Sequence, residues 1–123
     1  MYELKIITRF AAAHQLRALV GGCENLHGHN WKVEVTVVGN ALGDDGLLMD
    51  FRVIKGHTKE IIDDLDHKFL NEIGVFKSME PSSENIARHI YKSLSDRLEA
   101  SGVRVSKVTA WESESACASY MEN

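Results

Sequence analysis

Apolar and polar residues alternate along several short stretches of the chain. The alternation is clearest in WKVEVTVV at 31–38, where one tryptophan and three valines are separated by polar residues. This period of two predicts a strand with one buried face. Weaker or shorter patterns predict further strands at 2–14, 47–51, 103–111 and 116–121.

Two other segments have the longer period of a helix. Ile54, Ile61 and Leu65 keep near-helical spacing, which predicts a helix over about 52–66. Ser82 or Ser83, after the single proline of the chain, offers a side chain that can cap a second helix. That helix is predicted to run up to Gly102, with apolar residues every fourth position at Ile86, Ile90, Leu94 and Leu98.

The order of the predicted elements is therefore β-β-β-α-α-β-β. Strands grouped at both ends of a chain with helices between them are typical of the α+β class, with an antiparallel sheet and helices covering one face. No repeat, linker or low-complexity segment divides residues 1–123, so we expect a single domain.

Composition narrows the functional classes. The chain has 123 residues, 44% of them hydrophobic, and a formal net charge of −4. No window shows the basic stripe of a nucleic-acid-binding protein, and no apolar run approaches the about 20 residues of a membrane span. The N-terminus lacks the pattern of a signal peptide, so we expect no nucleic acid, no membrane and a cytoplasmic protein. In that reducing compartment the two cysteines are expected to be free thiols.

The segment CENLHGHN at 23–30 crowds reactive side chains together. His27 and His29 are two residues apart, so on a strand they point to one face and can reach one ion. His14, at the end of the first predicted strand, is the natural third ligand if the first two strands pair antiparallel. Three histidines leave one position of a zinc ion open, as in catalytic sites. The alternative is a polar strand start without a metal.

Cys23 lies four residues before the first histidine of this segment, in a glycine-led loop. Near a metal or an imidazolium its thiol would be pushed toward the thiolate, a competent base or nucleophile. Cys23 could instead be a fourth ligand that closes the site. Cys117 has no such neighbours and is interpreted as structural.

Asp66 and His67 are adjacent where the first predicted helix ends. There a carboxylate can orient an imidazole for proton transfer, although an ordinary polar helix end fits the pattern as well. Glu112 ends a strand and could bind a guanidine-like edge through two parallel hydrogen bonds, or be a solvated strand end. His57 and His89 lie inside helices without a matching partner and receive no role.

Six segments together are similar to the 6-pyruvoyl-tetrahydropterin synthase family, including its 6-carboxy-tetrahydropterin synthase branch. They occur in the family's order and span nearly the whole chain: FAAAHQL, CENLHGHNW, GLLMDFRVIK, LDHKFLN, PSSENIA and WESESACASY. The resemblance implies the tunnelling fold, a four-stranded antiparallel sheet with two helices on one face. It also implies a homohexamer of two trimers, with active sites between subunits.

The resemblance further implies a role for each matching residue. His14, His27 and His29 match the zinc ligands, and Cys23 matches the catalytic cysteine. Asp66 with His67 matches the acid–base pair, and Glu112 matches the carboxylate that anchors the pterin ring. Ser82 and Ser83 belong to the substrate-binding PSSEN motif, in which Ser82 replaces the usual threonine.

The substrate implied by the resemblance is 7,8-dihydroneopterin triphosphate, with zinc as Lewis acid and no redox cofactor. The expected product is 6-carboxy-5,6,7,8-tetrahydropterin, formed with acetaldehyde and triphosphate in queuosine biosynthesis. A 6-pyruvoyl product remains an alternative. Glu24 beside Cys23 suggests another, or a dual activity, because bacterial relatives with glutamate in place of the cysteine resemble enzymes that cleave the side chain to 6-hydroxymethyl-7,8-dihydropterin. Glu24 could instead be a solvent-facing loop residue. A non-catalytic pterin- or metal-binding protein is the third alternative.

Overall fold

The structure is a computed structural model that describes residues 1–17 and 26–123, apart from the side chain of His27. The elements follow in chain order: β1 (Tyr2–His14), β2 (His27–Gly39), α1 (Phe51–Asp63), β3 (Lys68–Phe69), α2 (Ser83–Leu98), β4 (Arg104–Ser113) and β5 (Ala116–Tyr120). Two short 3-10 turns, at Leu70–Glu72 and Gly74–Lys77, connect β3 to α2. Within the described residues, no helix is long and apolar enough to cross a membrane.

The strands form one sheet in the order β3-β1-β2-β4-β5. The pairs β1–β2, β2–β4 and β4–β5 are antiparallel, and only the two-residue strand β3 runs parallel to its neighbour β1. The predicted α+β class with a mainly antiparallel sheet and two helices is confirmed. The sheet has five strands rather than four because β3 adds a short edge.

The strand predicted at 47–51 is wrong. Asp50 is the N-cap of α1, and its carboxylate accepts a hydrogen bond from the backbone N–H of Arg52 at 2.8 Å. This cap makes Phe51 the first helical residue and ends any extended structure before it. Leu48 and Met49, which suggested the strand, instead pack against the core without a sheet partner. The helix predicted over 52–66 is shorter at its C-terminal end, since α1 stops at Asp63.

The core lies between one face of the sheet and the two helices. Trp31, Val33, Val35 and Val37, the apolar positions of the alternating pattern, are completely buried. They belong to one cluster with helical residues that include Ile54, Ile61, Leu65, Ile86, Ile90 and Leu94. A slip of one residue in β2 would turn four buried side chains outward, at a cost of about 1.5–3 kcal/mol each. This burial fixes the register of β2, and with it the position of the histidines at its start.

Candidate active site

The register of β1 and β2 brings the predicted metal ligands together. His14 pairs with His27, and Ala12 pairs with His29, at the end of the sheet where β1 finishes and β2 begins. Directly paired residues of antiparallel strands share a sheet face, and so do residues two apart on one strand. The three histidine positions therefore lie on the same face. The antiparallel pairing on which this arrangement depends is confirmed.

His14 is held by a backbone carbonyl. Its side chain is only 2% exposed, and its Nδ1 lies 2.8 Å from the carbonyl oxygen of Pro81. A carbonyl oxygen can only accept, so Nδ1 carries the proton and donates it. The lone pair of the neutral ring is then on Nε2, which lies 3.4 Å from Oε1 of Glu112.

His29 approaches the same carboxylate oxygen. Its Nε2 is 2.9 Å from Oε1 of Glu112, and its ring meets that of His14 edge to face at a centroid distance of 5.1 Å. The buried indole of Trp31 contacts both imidazoles edge-on, at 5.2 and 5.6 Å. The packing of Trp31 against both imidazole rings thus restricts their rotation.

The ligand atoms of His14, His29 and Glu112 all lie within 4.8 Å of one another. A lone pair on a neutral imidazole repels a carboxylate oxygen unless a proton or a cation lies between them. Imidazole nitrogen and carboxylate oxygen are ligands that zinc accepts, and a ring N–H bound to a backbone carbonyl is the usual support of a metal-binding histidine. The residues present therefore fit a zinc ion. The predicted role of His27 as a ligand stays a prediction, because its side chain lies outside the described part of the chain.

Sequence reasoning did not place Glu112 beside the histidines. Along β4 and β5, Trp111 pairs with Cys117 and Ser113 with Ala116, so Glu112 is the extra residue of a bulge. A bulge bends its strand and re-aims a side chain, and such bulges are frequent beside active sites. No local sequence signal marks this bulge; it depends on how β4 and β5 pair.

The two serines of the PSSEN motif make different contacts. The hydroxyl of Ser82 accepts a hydrogen bond from the backbone N–H of Asn85 at 3.2 Å, so Ser82 is the N-cap of α2. The predicted capping serine is confirmed. Ser83, the first helical residue, donates its hydroxyl to Oε2 of Glu112 at 3.2 Å. Their predicted contacts with substrate remain predictions.

Asp66 and His67 lie in the turn between α1 and β3, as expected for a pair at a helix end. Asp66 Oδ1 accepts the backbone N–H of Ala11 at 2.9 Å, and the N–H of His67 donates to the carbonyl of Ala11 at 2.6 Å. The other oxygen of Asp66 lies 3.1 Å from Nδ1 of His67. The hydrogen bond from Ala11 is the main cause that holds the pKa of Asp66 below its ordinary value, and the charge of His67 acts in the same direction.

His67 has an unusual backbone for its type, with φ at +57°. A histidine in this region of backbone space is uncommon and is held there by the hydrogen bonds to β1. Its side chain is 81% exposed. It lines a cleft of about 510 Å³ that is also lined by His29. The small residues Ala11, Ala13 and Gly28 in its wall make this space.

A second cleft, of about 540 Å³, opens beside Glu112 and is lined also by Arg9, Lys32 and Trp111. The ammonium of Lys32 lies 4.8 Å from the centre of the Trp111 ring. The cleft thus brings two cations near His14, His29 and Glu112, although Glu114 also lines it and Lys32 is paired with Glu34 at 3.6 Å. Scattered along the sequence, these basic residues carried no signal; they meet only through the pairing of the strands.

The remaining predicted residues have separate outcomes. Cys23 and Glu24 lie outside the described residues. His57 and His89 lie inside α1 and α2, as predicted. Burial lowers the pKa of His89, whose ring packs on a phenylalanine of the core. Cys117 is exposed on β5 and so contributes nothing to the core of the described chain, although it was interpreted as structural.

The chain is similar to several known proteins. The model of the family described as 6-pyruvoyl tetrahydropterin synthase matches residues 3–123. The chain is 32% identical over 126 residues to the 6-carboxy-5,6,7,8-tetrahydropterin synthase of Aquifex aeolicus, covering 84% of this chain and 78% of the relative. It is 33% identical over 112 residues to the dihydroneopterin monophosphate aldolase of Pyrococcus furiosus, covering 89% and 90%. The solved 6-pyruvoyl tetrahydropterin synthase of Caenorhabditis elegans has a TM-score of 0.86 at 26% identity, covering 99% and 96%.

Proposed function

The chain belongs to the 6-pyruvoyl tetrahydropterin synthase family, and from this premise we propose that it is a zinc-dependent lyase acting on 7,8-dihydroneopterin triphosphate. The membership confirms the resemblance seen in the sequence and makes the protein an enzyme of the tetrahydropterin synthase type. The proposed product is 6-carboxy-5,6,7,8-tetrahydropterin, the compound named in the relative from Aquifex aeolicus. Acetaldehyde and triphosphate are released with it.

The observation that carries the proposal is the meeting of two imidazoles with a carboxylate at the end of β1. His14, His27 and His29 would hold the zinc ion, which supplies a Lewis acid for the hydroxyl groups of the substrate side chain. In the neutral ring, the hydrogen bond to the carbonyl of Pro81 places the proton of His14 on Nδ1 and leaves Nε2 as the atom that can bind a metal. The apolar contact with Trp31 holds the rings in place.

The proton transfers are assigned to Cys23, Asp66 and His67. The thiolate of Cys23 removes a proton from the substrate side chain. The carboxylate of Asp66 lies beside Nδ1 of His67 and favours a proton there, so Nε2 is left to exchange a proton with the substrate. The exposure of His67 on the cleft gives a bound molecule access to that nitrogen.

Substrate binding is assigned to the groups around Glu112. Its carboxylate would bind the guanidine-like edge of the pterin, with Ser82 and Ser83 beside it at the start of α2. Arg9 and Lys32, in the cleft next to Glu112, are suited to the triphosphate. Replacing either cation with glutamine should raise KM more than it lowers kcat, whereas an equal loss in both would contradict a binding role.

The direct test is mass-spectrometric analysis of the products of zinc-loaded protein incubated with 7,8-dihydroneopterin triphosphate. Mainly 6-carboxy-5,6,7,8-tetrahydropterin with acetaldehyde is expected. Cys23→Ala should abolish turnover and leave the zinc content unchanged. Turnover in that variant at the wild-type rate would refute the assigned mechanism. Tight pterin binding without any turnover by the wild type would instead indicate a binding protein.

A second activity is favoured by one specific observation. The chain resembles the dihydroneopterin monophosphate aldolase of Pyrococcus furiosus over 89% of its length, and Glu24 directly follows Cys23. We therefore propose side-chain cleavage to 6-hydroxymethyl-7,8-dihydropterin as the alternative reaction. Glu24→Gln should lose this product selectively, and an unchanged product ratio would make Glu24 a bystander.

The assembly proposed is a homohexamer of two trimers in the cytoplasm, with Cys23 and His67 of one site on different subunits. Light scattering coupled to size exclusion would measure the mass. A sharper test is to co-express two inactive variants, Cys23→Ala and His67→Asn. Mixed hexamers should regain activity if the two residues come from different subunits, and should stay inactive if one subunit supplies both.

A further inference from the structure

We propose that Glu112 is a reversible fourth ligand of the metal, which closes the centre in the resting protein and leaves it when the pterin ring binds. The inference rests on the proposed function, since it requires both the metal and the pterin. The carboxylate of Glu112 would bind first the metal and then the pterin ring. The family resemblance assigned only the second of them.

The first support is the distance between the ligand atoms. Zinc bonds of about 2.1 Å in a tetrahedron place neighbouring ligand atoms about 3.4 Å apart. Oε1 of Glu112 lies 3.4 Å from Nε2 of His14 and 2.9 Å from Nε2 of His29. An ion can therefore bind all three atoms with small rotations of the side chains. A hydrogen bond from Nε2–H of His29 would explain the 2.9 Å contact, but it would leave the lone pair of His14 facing the same carboxylate oxygen at 3.4 Å with no cation between them.

The second support is the position of the other carboxylate oxygen. Oε2 accepts the hydroxyl of Ser83 at the start of α2, a sixteen-residue helix. The positive end of a helix dipole favours a negative charge at this place. One oxygen is thus held by the helix and the other is directed at the histidines, which is the orientation of a ligand bound through a single oxygen.

The third support is access from the opposite side. Glu112 is 35% exposed and lines the cleft that it shares with Trp111, so a flat ring can reach the carboxylate without entering the histidine cluster. The bulge at this residue supplies local freedom, since the residue has no ladder partner on β5. His14, which is buried, has no comparable freedom.

The two partners of Glu112 compete. A guanidine-like edge takes both oxygens of a carboxylate in two parallel hydrogen bonds, which leaves neither in position for a short metal bond. Binding of the ring would therefore remove the carboxylate from the metal and open a coordination position for a substrate hydroxyl. Because coupling between two ligands is reciprocal, the ring and the metal should weaken each other's binding.

The first experiment measures Zn²⁺ affinity by competition with a chromophoric chelator, without pterin and without turnover. Glu112→Gln should weaken binding by at least about tenfold. Glu112→Asp should weaken it as well, because the charge remains but the shorter side chain does not reach. The matched control is Glu114→Gln, which removes the same charge two residues away on the exposed connection to β5. Equal affinities for Glu112→Gln and Glu114→Gln, or wild-type affinity for Glu112→Asp, would overturn the proposal.

The second experiment repeats the titration of the wild type with saturating 7,8-dihydropterin, a ring without the side chain that reaches the metal. The Zn²⁺ affinity should fall. An unchanged or higher affinity would overturn the reversible ligation. The variant His14→Ala distinguishes failure of the proposed zinc site from failure of the proposed role of Glu112. If this variant binds zinc like the wild type, the proposed zinc site itself is wrong. If it loses zinc while Glu112→Gln keeps it, only the role of Glu112 fails.

Discussion

Two histidines of this protein are fixed by similar hydrogen-bond geometry in opposite surroundings. His14 is 2% exposed and donates Nδ1–H to the carbonyl of Pro81, whereas His67 is 81% exposed and has its Nδ1 beside the carboxylate of Asp66. A neutral acceptor selects a tautomer and adds no charge, which suits a ligand for a cation. An anionic acceptor selects the same tautomer and orients the ring, which suits a group that exchanges a proton with a substrate.

The frameworks around these histidines differ in the same way. The buried site is built from the adjoining ends of the inner strands β1 and β2 and from the start of α2, with core burial to fix the register of the strands. The exposed pair lies in the turn just before the two-residue edge strand β3 and is held by two hydrogen bonds to Ala11. Metal ligands need fixed distances, while a proton carrier needs contact with a substrate that comes and goes. One small sheet therefore provides both a rigid site for metal ligands and an accessible site for a proton carrier.

The largest expected effect is on the buried side of this comparison. His14→Ala should weaken Zn²⁺ binding by more than about a hundredfold, since it removes a ligand rather than a supporting group. The change is measured by chelator competition. The control is His57→Gln, a histidine inside α1 that was given no role. Similar losses in both variants would mean that the effect is general destabilisation.

On the exposed side, His67→Asn should lower kcat by about a hundredfold or more, the range of a lost general acid or base. Its Zn²⁺ affinity should equal that of the wild type, because the residue is not a ligand. Steady-state kinetics and zinc content of the same preparation check the two halves of this expectation. A loss of zinc from His67→Asn would contradict the assignment of His67 to proton transfer and not to metal binding.

A smaller effect is expected at the helix that supports the buried side. Ser82→Ala removes the N-cap of α2 and should lower the free energy of unfolding by about 1 kcal/mol. Ser82→Thr keeps a hydroxyl and should restore most of it, in agreement with the threonine usual at this place. Urea denaturation of the metal-free proteins measures the difference. A stable Ser82→Ala protein would show that α2 is held by its apolar face alone.

The smallest effect is a pH dependence at the exposed pair. The pKa of Asp66 is lowered in the folded chain, so the ionised carboxylate favours the fold. This contribution is complete above the unfolded value of about 3.8 and is lost as the pH falls through the lower folded value. Metal-free Asp66→Asn should therefore be less stable than the wild type near neutral pH, and the gap should close in strong acid. A gap that does not change with pH would contradict the assigned cause.

The alternation of β2 was enough to predict the part of the site that depends on strand register. Burial of Trp31 and Val33 decides which face the strand turns inward, and the histidines two and four residues before the tryptophan follow from it. The N-cap of α2 was equally local, since a serine after a proline is readable without knowledge of the fold. Both predictions needed only short-range rules.

The parts that sequence reasoning missed depend on pairing between distant segments. Strand β3 has two residues, too few for any alternation, and exists because Ala12 and Ala13 of β1 offer it a partner. The position of Glu112 depends on the pairing of β4 with β2, in which Ala110 lies opposite Val33 and Trp111 opposite Lys32. The strand predicted at 47–51 was wrong because its apolar residues Leu48 and Met49 pack against the core without pairing in the sheet.

The hydrogen bond from His14 to Pro81 has a consequence for mutation. The acceptor is a main-chain oxygen, so no amino-acid replacement at position 81 deletes it. Only a change in the path of the backbone before α2 could move this oxygen away from the ring. Single substitutions can therefore change the chemistry around Glu112 or His67. The tautomer of His14 is instead set by the backbone and stays the same as long as the fold does.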